Sequence, residues 1–201
     1  MKKISEGAES IVYEGTVAGI RCVIKSRIQK LYRIDELDQR IRSTRTKNEA
    51  RIISSASKAG VNTPRVLLID GFDLYTERIG GTTLNKMGRI GTNERQKIMQ
   101  GAGKNLALLH SSDIAHGDYT PANIMVDSGT VYVIDFGLAE QTKSVEEKAI
   151  DLLLMKRSVE KSDYKTFESA YVHASSKSNA IVSRLHEVEM RGRYQTRTLA
   201  V

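Results

Sequence analysis

The run His116-Gly117-Asp118-Tyr119-Thr120-Pro121-Ala122-Asn123, followed by Val133-Ile134-Asp135-Phe136-Gly137, constrains this chain more than any other stretch. It sets a carboxylate, then an amide five residues later, then a second carboxylate behind a β-rich run. Metal-assisted phosphoryl transfer needs such a set. One Asp accepts or orients the attacking group, while an Asn and another Asp hold the magnesium ions that bridge the ATP phosphates. Either half alone is a common loop composition, and the two in this order carry the information.

The flanking sequence supplies a frame. Ile11-Val12-Tyr13 and Ile20-Arg21-Cys22-Val23-Ile24-Lys25 are β-rich and joined through Ala18-Gly19, which predicts a hairpin. From Asp35 to Ala59 the pattern is helical, with Leu37, Ile41, Asn48, Ile52 and Ala59 on one side and Gly60 as the stop. Val66 to Ile69 and Phe72 to Tyr75 predict two strands turning at Asp70-Gly71. Gly80-Gly81 is the expected joint between two lobes. Beyond it, Thr92 to His110 carries Ile98, Ala102, Leu106 and Leu109 at helical spacing. A short hairpin around Asp127-Ser128-Gly129 precedes Asp135, and three further helical stretches lie near 145–160, 163–174 and 178–190.

Lys25 ends a strand, where it can present a fixed charge to the α and β phosphates, and such a lysine needs a carboxylate to orient it. Glu49 is the chosen partner over Glu36 and Asp38, because Ile52, Ile53 and Ala56 surround it with apolar neighbours. Val23 lies on the same strand and is expected to help line the nucleotide site. Gly7 and Ser10, in Ser5-Glu6-Gly7-Ala8-Glu9-Ser10, offer backbone amides and a hydroxyl to cover phosphates. Glu77 and Ile79, just before Gly80, are placed to offer main-chain groups to the adenine edge. His110 and His116 have no ligand cluster at zinc spacing, so both are read as bracing groups. Asp151 is an acid within an apolar helix and calls for backbone donors from the loop around Asp118.

Charge and cysteine content bound the partners and the compartment. Residues 21–51 hold ten Lys or Arg against four Asp or Glu, and Arg191, Arg193 and Arg197 close the chain without acidic neighbours. Such clusters favour phosphate-bearing partners, nucleotide or nucleic acid. No apolar run reaches membrane-span length, and the first residues lack the apolar core of a signal peptide. Cys22 is the single cysteine, which suits a reducing compartment. A cytoplasmic location is expected, without a membrane partner.

Together these motifs resemble a small atypical kinase family, that of the KEOPS complex, related to the RIO kinases. The likeness rests on Gly7-Ala8-Glu9, Ile24-Lys25-Ser26-Arg27, Lys30-Leu31-Tyr32-Arg33, Arg45-Thr46-Lys47-Asn48-Glu49-Ala50 and Gly60-Val61-Asn62-Thr63-Pro64. It continues through His116-Gly117-Asp118, Asn123, Asp135-Phe136-Gly137-Leu138, Glu147 to Leu152 and Arg191-Gly192-Arg193. Tyr119 departs from the usual Leu, and Tyr194-Gln195-Thr196 replaces more basic residues. The resemblance implies an α+β, two-lobed protein-kinase-like fold with a reduced C-lobe. Residues 1–79 would form the strand-rich lobe with the Lys/Glu helix. Residues 80–201 would form the helical lobe with the catalytic loop and a short basic tail.

It also implies ATP and Mg2+ as cofactors and a serine/threonine kinase that phosphorylates itself, or an ATPase. Lys25 and Glu49 would anchor the phosphates, Asp118 would act as acid/base, and Asn123 and Asp135 would hold the metal. The implied partners are a threonylcarbamoyl-transferase subunit, the other KEOPS subunits, and tRNA. Two competing classes are weighed against it: a small-molecule phosphotransferase of the aminoglycoside-kinase type and a silent scaffold that binds RNA or protein. Phe136-Gly137 and the lack of an insertion beside Asp118 count against the first, and the intact Lys25, Asp118, Asn123 and Asp135 against the second. Between Gly137 and Val145 there is no room for an activation segment.

Overall fold

A computed structural model describes residues 1–175 and 177–198, with side chains as far as Arg191. Five antiparallel strands open the chain: β1 Lys2–Glu6, β2 Ser10–Val17, β3 Ile20–Arg27, β4 Val66–Asp70 and β5 Asp73–Glu77. Their order across the sheet is β1-β2-β3-β5-β4, so β3 is central and Lys25 pairs with Val12 on one side and Leu74 on the other. Ala18 and Gly19 both take positive φ, 49° and 78°, which matches the two-residue turn that joins twisted strands. β1 has no counterpart in the sequence expectations. Lys2-Lys3-Ile4-Ser5-Glu6 shows no apolar alternation, because all five residues are exposed on an edge strand.

Helix α1, Asp35–Lys58, follows β3, and its buried face differs from the expected one. Asp38, Thr46, Glu49, Ala50, Ile52, Ile53 and Ala56 are buried, while Leu37 and Asn48 are not. The reason is electrostatic. Asp38 is buried against Arg42 and Arg33, and Glu49 against Lys25 and Arg27, so charged pairs take up part of the face that periodicity assigned to apolar side chains. The basic character of residues 21–51 is offset in the same way, since Arg45 also faces Glu9.

Gly80-Gly81 leads into the short β6, Thr82–Thr83, which pairs with β8, Ile124–Asp127, and through it with β9, Thr130–Val133. A Cβ on Gly81 would lie 1.9 Å from the Val126 carbonyl oxygen, so this glycine is required by a close backbone approach. Helix α2, Thr92–Ser111, buries the expected Ile98, Ala102, Leu106 and Leu109. It packs on α4, Lys161–Ala174, whose Phe167 and Tyr171 are fully buried. Strand β7, Ile114–Ala115, pairs with β10, Glu140–Gln141, and closes the loop between Gly137 and helix α3 within a few residues. Helix α3, Val145–Ser158, starts at Ser144, whose hydroxyl accepts the Glu147 N–H.

Helix α5, Ser178–Thr198, packs on α3 and extends past residue 190, where the expected helical stretch ends. The helix runs through Gly192, since one glycine costs a helix only about 1 kcal/mol, and Arg191 turns back to Glu146 at 3.3 Å. The side chains of Arg193 and Arg197 lie outside the described residues. Among the described residues no helix is long and apolar enough to cross a membrane.

Candidate active site

A cleft of about 370 Å³ lies between the β-sheet and the helical part, a volume in the usual range for small-ligand sites. Its wall includes Val23, Lys25, Glu49, Glu77, Ile79, Asn123 and Asp135, all expected from the sequence. Ile4, Ser5, Val12, Met125 and Phe136 also line it and were not expected. Gly7 and Ser10 are not on the wall. The Gly7 N–H donates to the Ser10 carbonyl at 2.9 Å, closing the turn between β1 and β2 and using the amide that was expected to face phosphate.

Lys25 connects the two halves of the site. Its Nζ donates to Glu49 Oε1 at 2.8 Å and to Asp135 Oδ1 at 2.6 Å. Burial by itself would lower the Lys25 pKa, but the Glu49 and Asp135 carboxylates outweigh it and hold the ammonium above its ordinary value. Burial likewise would raise the Asp135 carboxyl, and Lys25 holds it below the usual carboxylate range. Both groups therefore carry full charge at neutral pH. Arg27, absent from the expected set, donates to the second Glu49 oxygen, Oε2, at 2.6 Å. The signal was available: Lys25 and Arg27 are two apart on one strand and so point to the same face.

The loop after β7 is built by hydrogen bonds from beneath. Asp151 of α3 accepts the His116 N–H at 2.7 Å and the Gly117 N–H at 2.8 Å, meeting the expected need for backbone donors. His110 Nε2 donates to the same carboxylate at 3.2 Å and its Nδ1 accepts the Tyr171 hydroxyl at 2.8 Å. His116 Nε2 donates to the Ile134 carbonyl at 3.2 Å and Nδ1 accepts the Asp118 N–H at 3.3 Å. Burial lowers both imidazole pKa values, which leaves the rings neutral and suited to this donor-acceptor pattern. Tyr119, the departure from Leu, donates its hydroxyl to the Ala102 carbonyl at 2.7 Å and ties the loop to α2.

Asp118 and Asn123 are joined directly. Asn123 Nδ2 donates to Asp118 Oδ2 and to the Asp118 carbonyl, both at 2.8 Å. The amide nitrogen is thus committed, and Oδ1 is the group left for a ligand. Asp135 adopts φ 60°, a left-handed conformation that Asp tolerates better than most side chains. Its Oδ1 also accepts the Gly137 N–H at 3.2 Å. At the other end of the cleft, Glu77 N–H donates to Arg65 O and Arg78 N–H to Arg21 O, while the Ile79 N–H has no protein partner among the described residues.

A strand-rich lobe and a helical one, with Lys25, Glu49, Asn123 and Asp135 lining one cleft and Asp118 bonded to Asn123, define the protein kinase class. Residues 1–181 match the protein kinase domain. The KEOPS complex subunit Bud32 of Pyrococcus abyssi is 36% identical over 216 residues, which cover 98% of this chain and 98% of that protein. A probable bifunctional tRNA threonylcarbamoyladenosine biosynthesis protein of Methanothermobacter thermautotrophicus is 36% identical over 95% of this chain, which spans 36% of its length. In structure, the Rio2 kinase of Chaetomium thermophilum, solved as an ADP/Mg2+-phosphoaspartate complex, aligns with TM-score 0.67 at 14% identity, covering 96% of this chain and 70% of that one. This chain belongs to the Bud32 family of kinase-type phosphotransferases.

Proposed function

We propose that this chain is a Mg-ATP-dependent serine/threonine kinase or ATPase, acting as the kinase subunit of a KEOPS-type complex in threonylcarbamoyladenosine modification of tRNA. The observation that carries the reading is the Lys25 ammonium held between Glu49 and Asp135 at one cleft, with the Asp118–Asn123 pair on the same lobe as Asp135. The boundary between lobes is placed at 79/80, and the location is cytoplasmic. Similarity to the Pyrococcus and Methanothermobacter proteins supports the complex and the tRNA link.

In this reading the adenine edge lies against the Glu77–Ile79 backbone, where the Ile79 N–H is available, with Val23 and Met125 as apolar walls. Lys25 meets the α and β phosphates, and Glu49 keeps it aimed there. The residues fit a magnesium ion. The Asn123 and Asp135 donors are hard oxygens, and two protein ligands with phosphates and water completing the shell is the habit of Mg2+. Gly137 lets its backbone pass close to these groups, since a Cβ there would lie 2.8 Å from Lys25 Nζ and 3.1 Å from Asp135 Oδ1. An ion held by Asn123 and Asp135 would supply positive charge to offset that of the phosphates. Asp118 then orients the attacking hydroxyl, or water in the ATPase reaction, and takes its proton. The Asn123 amide holds that carboxylate in place.

Labelled ATP tests the reading, with the pure chain alone, with a family-type transferase partner, and with tRNA added. Phosphate on serine or threonine of the chain itself, or partner-stimulated phosphate release, is the expected result. Absence of both, with magnesium present, sinks it.

A further inference from the structure

Glu49 is only 3% exposed and has one negative charge, yet it meets two cations. Lys25 holds Oε1 and Arg27 holds Oε2, and the Arg27 side chain is itself 5% exposed. The other guanidinium nitrogen of Arg27 lies 3.7 Å from Glu9, in the turn between β1 and β2. Arg45 of α1 also grips Glu9, and the Ile28 N–H donates to the Glu9 carbonyl at 3.0 Å. The turn beside the cleft, the central strand and α1 are thus tied together through Arg27.

We propose that Arg27 is a positioning residue for the nucleotide phosphates: it locks Glu49 by its second oxygen and leaves Lys25 with positive charge to spend on the ligand. The inference rests on the Mg-ATP reading above. Its physical core is charge balance. With a single lysine partner, a buried carboxylate would neutralise that lysine almost completely, and would be free to rotate about the remaining contact. With Arg27 present, Glu49 has a second counterion in a buried setting, where charge-assisted hydrogen bonds are strong. When Asp135 turns toward metal, Lys25, Glu49 and Arg27 form a set with net positive charge directly beneath the phosphates. Arg27 itself touches no ligand, because Glu49 lies between.

The test compares ligands with and without phosphates. Arg27→Gln keeps much of the shape and a hydrogen-bond donor but removes the charge, and Arg27→Lys keeps the charge and loses the fork. Calorimetry or NMR titration measures Mg-ATP and adenosine affinity of the full-length wild type and of both variants, after thermal melts confirm folding. Arg27→Gln should weaken Mg-ATP by on the order of tenfold while leaving adenosine within about twofold. Arg27→Lys should recover most of the Mg-ATP affinity. Equal weakening of ATP and adenosine would assign Arg27 to packing alone and overturn the proposal, as would unchanged ATP affinity in Arg27→Gln. Should Arg27→Gln fail to fold, a tenfold ATP loss in folded Arg27→Lys still rejects the charge argument. A wild type that binds no Mg-ATP would remove the functional reading first, and this inference with it.

Discussion

Asp151 and Gly117 are 34 residues apart, and a 2.8 Å hydrogen bond from the Gly117 N–H to Asp151 Oδ1 fixes the loop around Asp118 to α3. The second oxygen takes the His116 N–H and the His110 ring, so one fully buried carboxylate satisfies three donors. Asp151→Ala strands all three. Removing one partner of a buried charged network costs about 3–5 kcal/mol. A urea titration should show that loss, with turnover falling beyond it as the loop slackens. A midpoint within experimental error of wild type would refute the role given to Asp151.

Asp118→Asn separates chemistry from binding. The change keeps the shape and one acceptor oxygen for Asn123, and Asp118 is not on the wall of the cleft proposed to hold the nucleotide. Loss of a positioned acid/base costs about 10²- to 10⁴-fold in turnover. Mg-ATP affinity should stay near wild type in the same preparation. Single-turnover measurements decide, and undiminished turnover would remove Asp118 from the reaction.

Gly117 and Gly129 both have positive φ, 77° and 80°, but different surroundings. A Cβ on Gly117 would lie 2.6 Å from the Leu138 carbonyl oxygen, whereas one on Gly129 meets nothing within 4 Å. Gly129→Ala should therefore cost only the left-handed penalty, about 1 kcal/mol. Gly117→Ala should cost at least about 2 kcal/mol and should disturb the segment after Gly137. Equal losses in denaturant titrations of the two variants would contradict the close contact with Leu138.

His110 and His116 make stability depend on pH. Both folded-state pKa values are depressed below 6.5 by burial. The stabilisation is therefore complete above that value and is lost as pH falls toward the folded-state values, because the unfolded chain binds protons that the folded one refuses. Each ring contributes a slope of up to about 1.4 kcal/mol per pH unit within that window. Melts between about pH 7.5 and 5 should show the decline, and a level profile over that range would contradict the neutral assignment of both rings.

Substrate range follows from the short connection between Gly137 and α3. Only residues 138–144 intervene, and β10 pins two of them to β7. With no segment long enough to form a peptide platform, the isolated chain should phosphorylate free peptides poorly compared with itself or a bound partner. A peptide-array assay with labelled ATP checks this. Rapid, sequence-selective labelling of many peptides would count decisively against it.

Much of the fold could be read from local chemistry. The Ala18-Gly19 and Ser128-Gly129 turns, the apolar spacing of α2 and the stop at Gly60 depend on neighbours in sequence, so the hairpins and helices were legible. β1 was not, because an exposed edge strand needs no alternation. The motif residues Lys25, Asn123 and Asp135 could be named from spacing, since the chemistry dictates their types, and the cleft gathers all three.

Other features depended on where distant segments meet. Which face of α1 is buried follows from the cations that β3 presents to it, and hydrophobic periodicity carries no trace of ion pairing. Gly7 looked like a phosphate-facing amide until the turn geometry used its N–H on Ser10. Arg191 looked like a free cation, but α3 places Glu146 beside it. The sequence by itself determined which groups are present for phosphoryl chemistry and the order of the elements that carry them. Only the tertiary structure decided which charges remain available to a ligand, because a charge is neutralised by whatever packs within a few ångströms of it, and those partners lie far away along the chain.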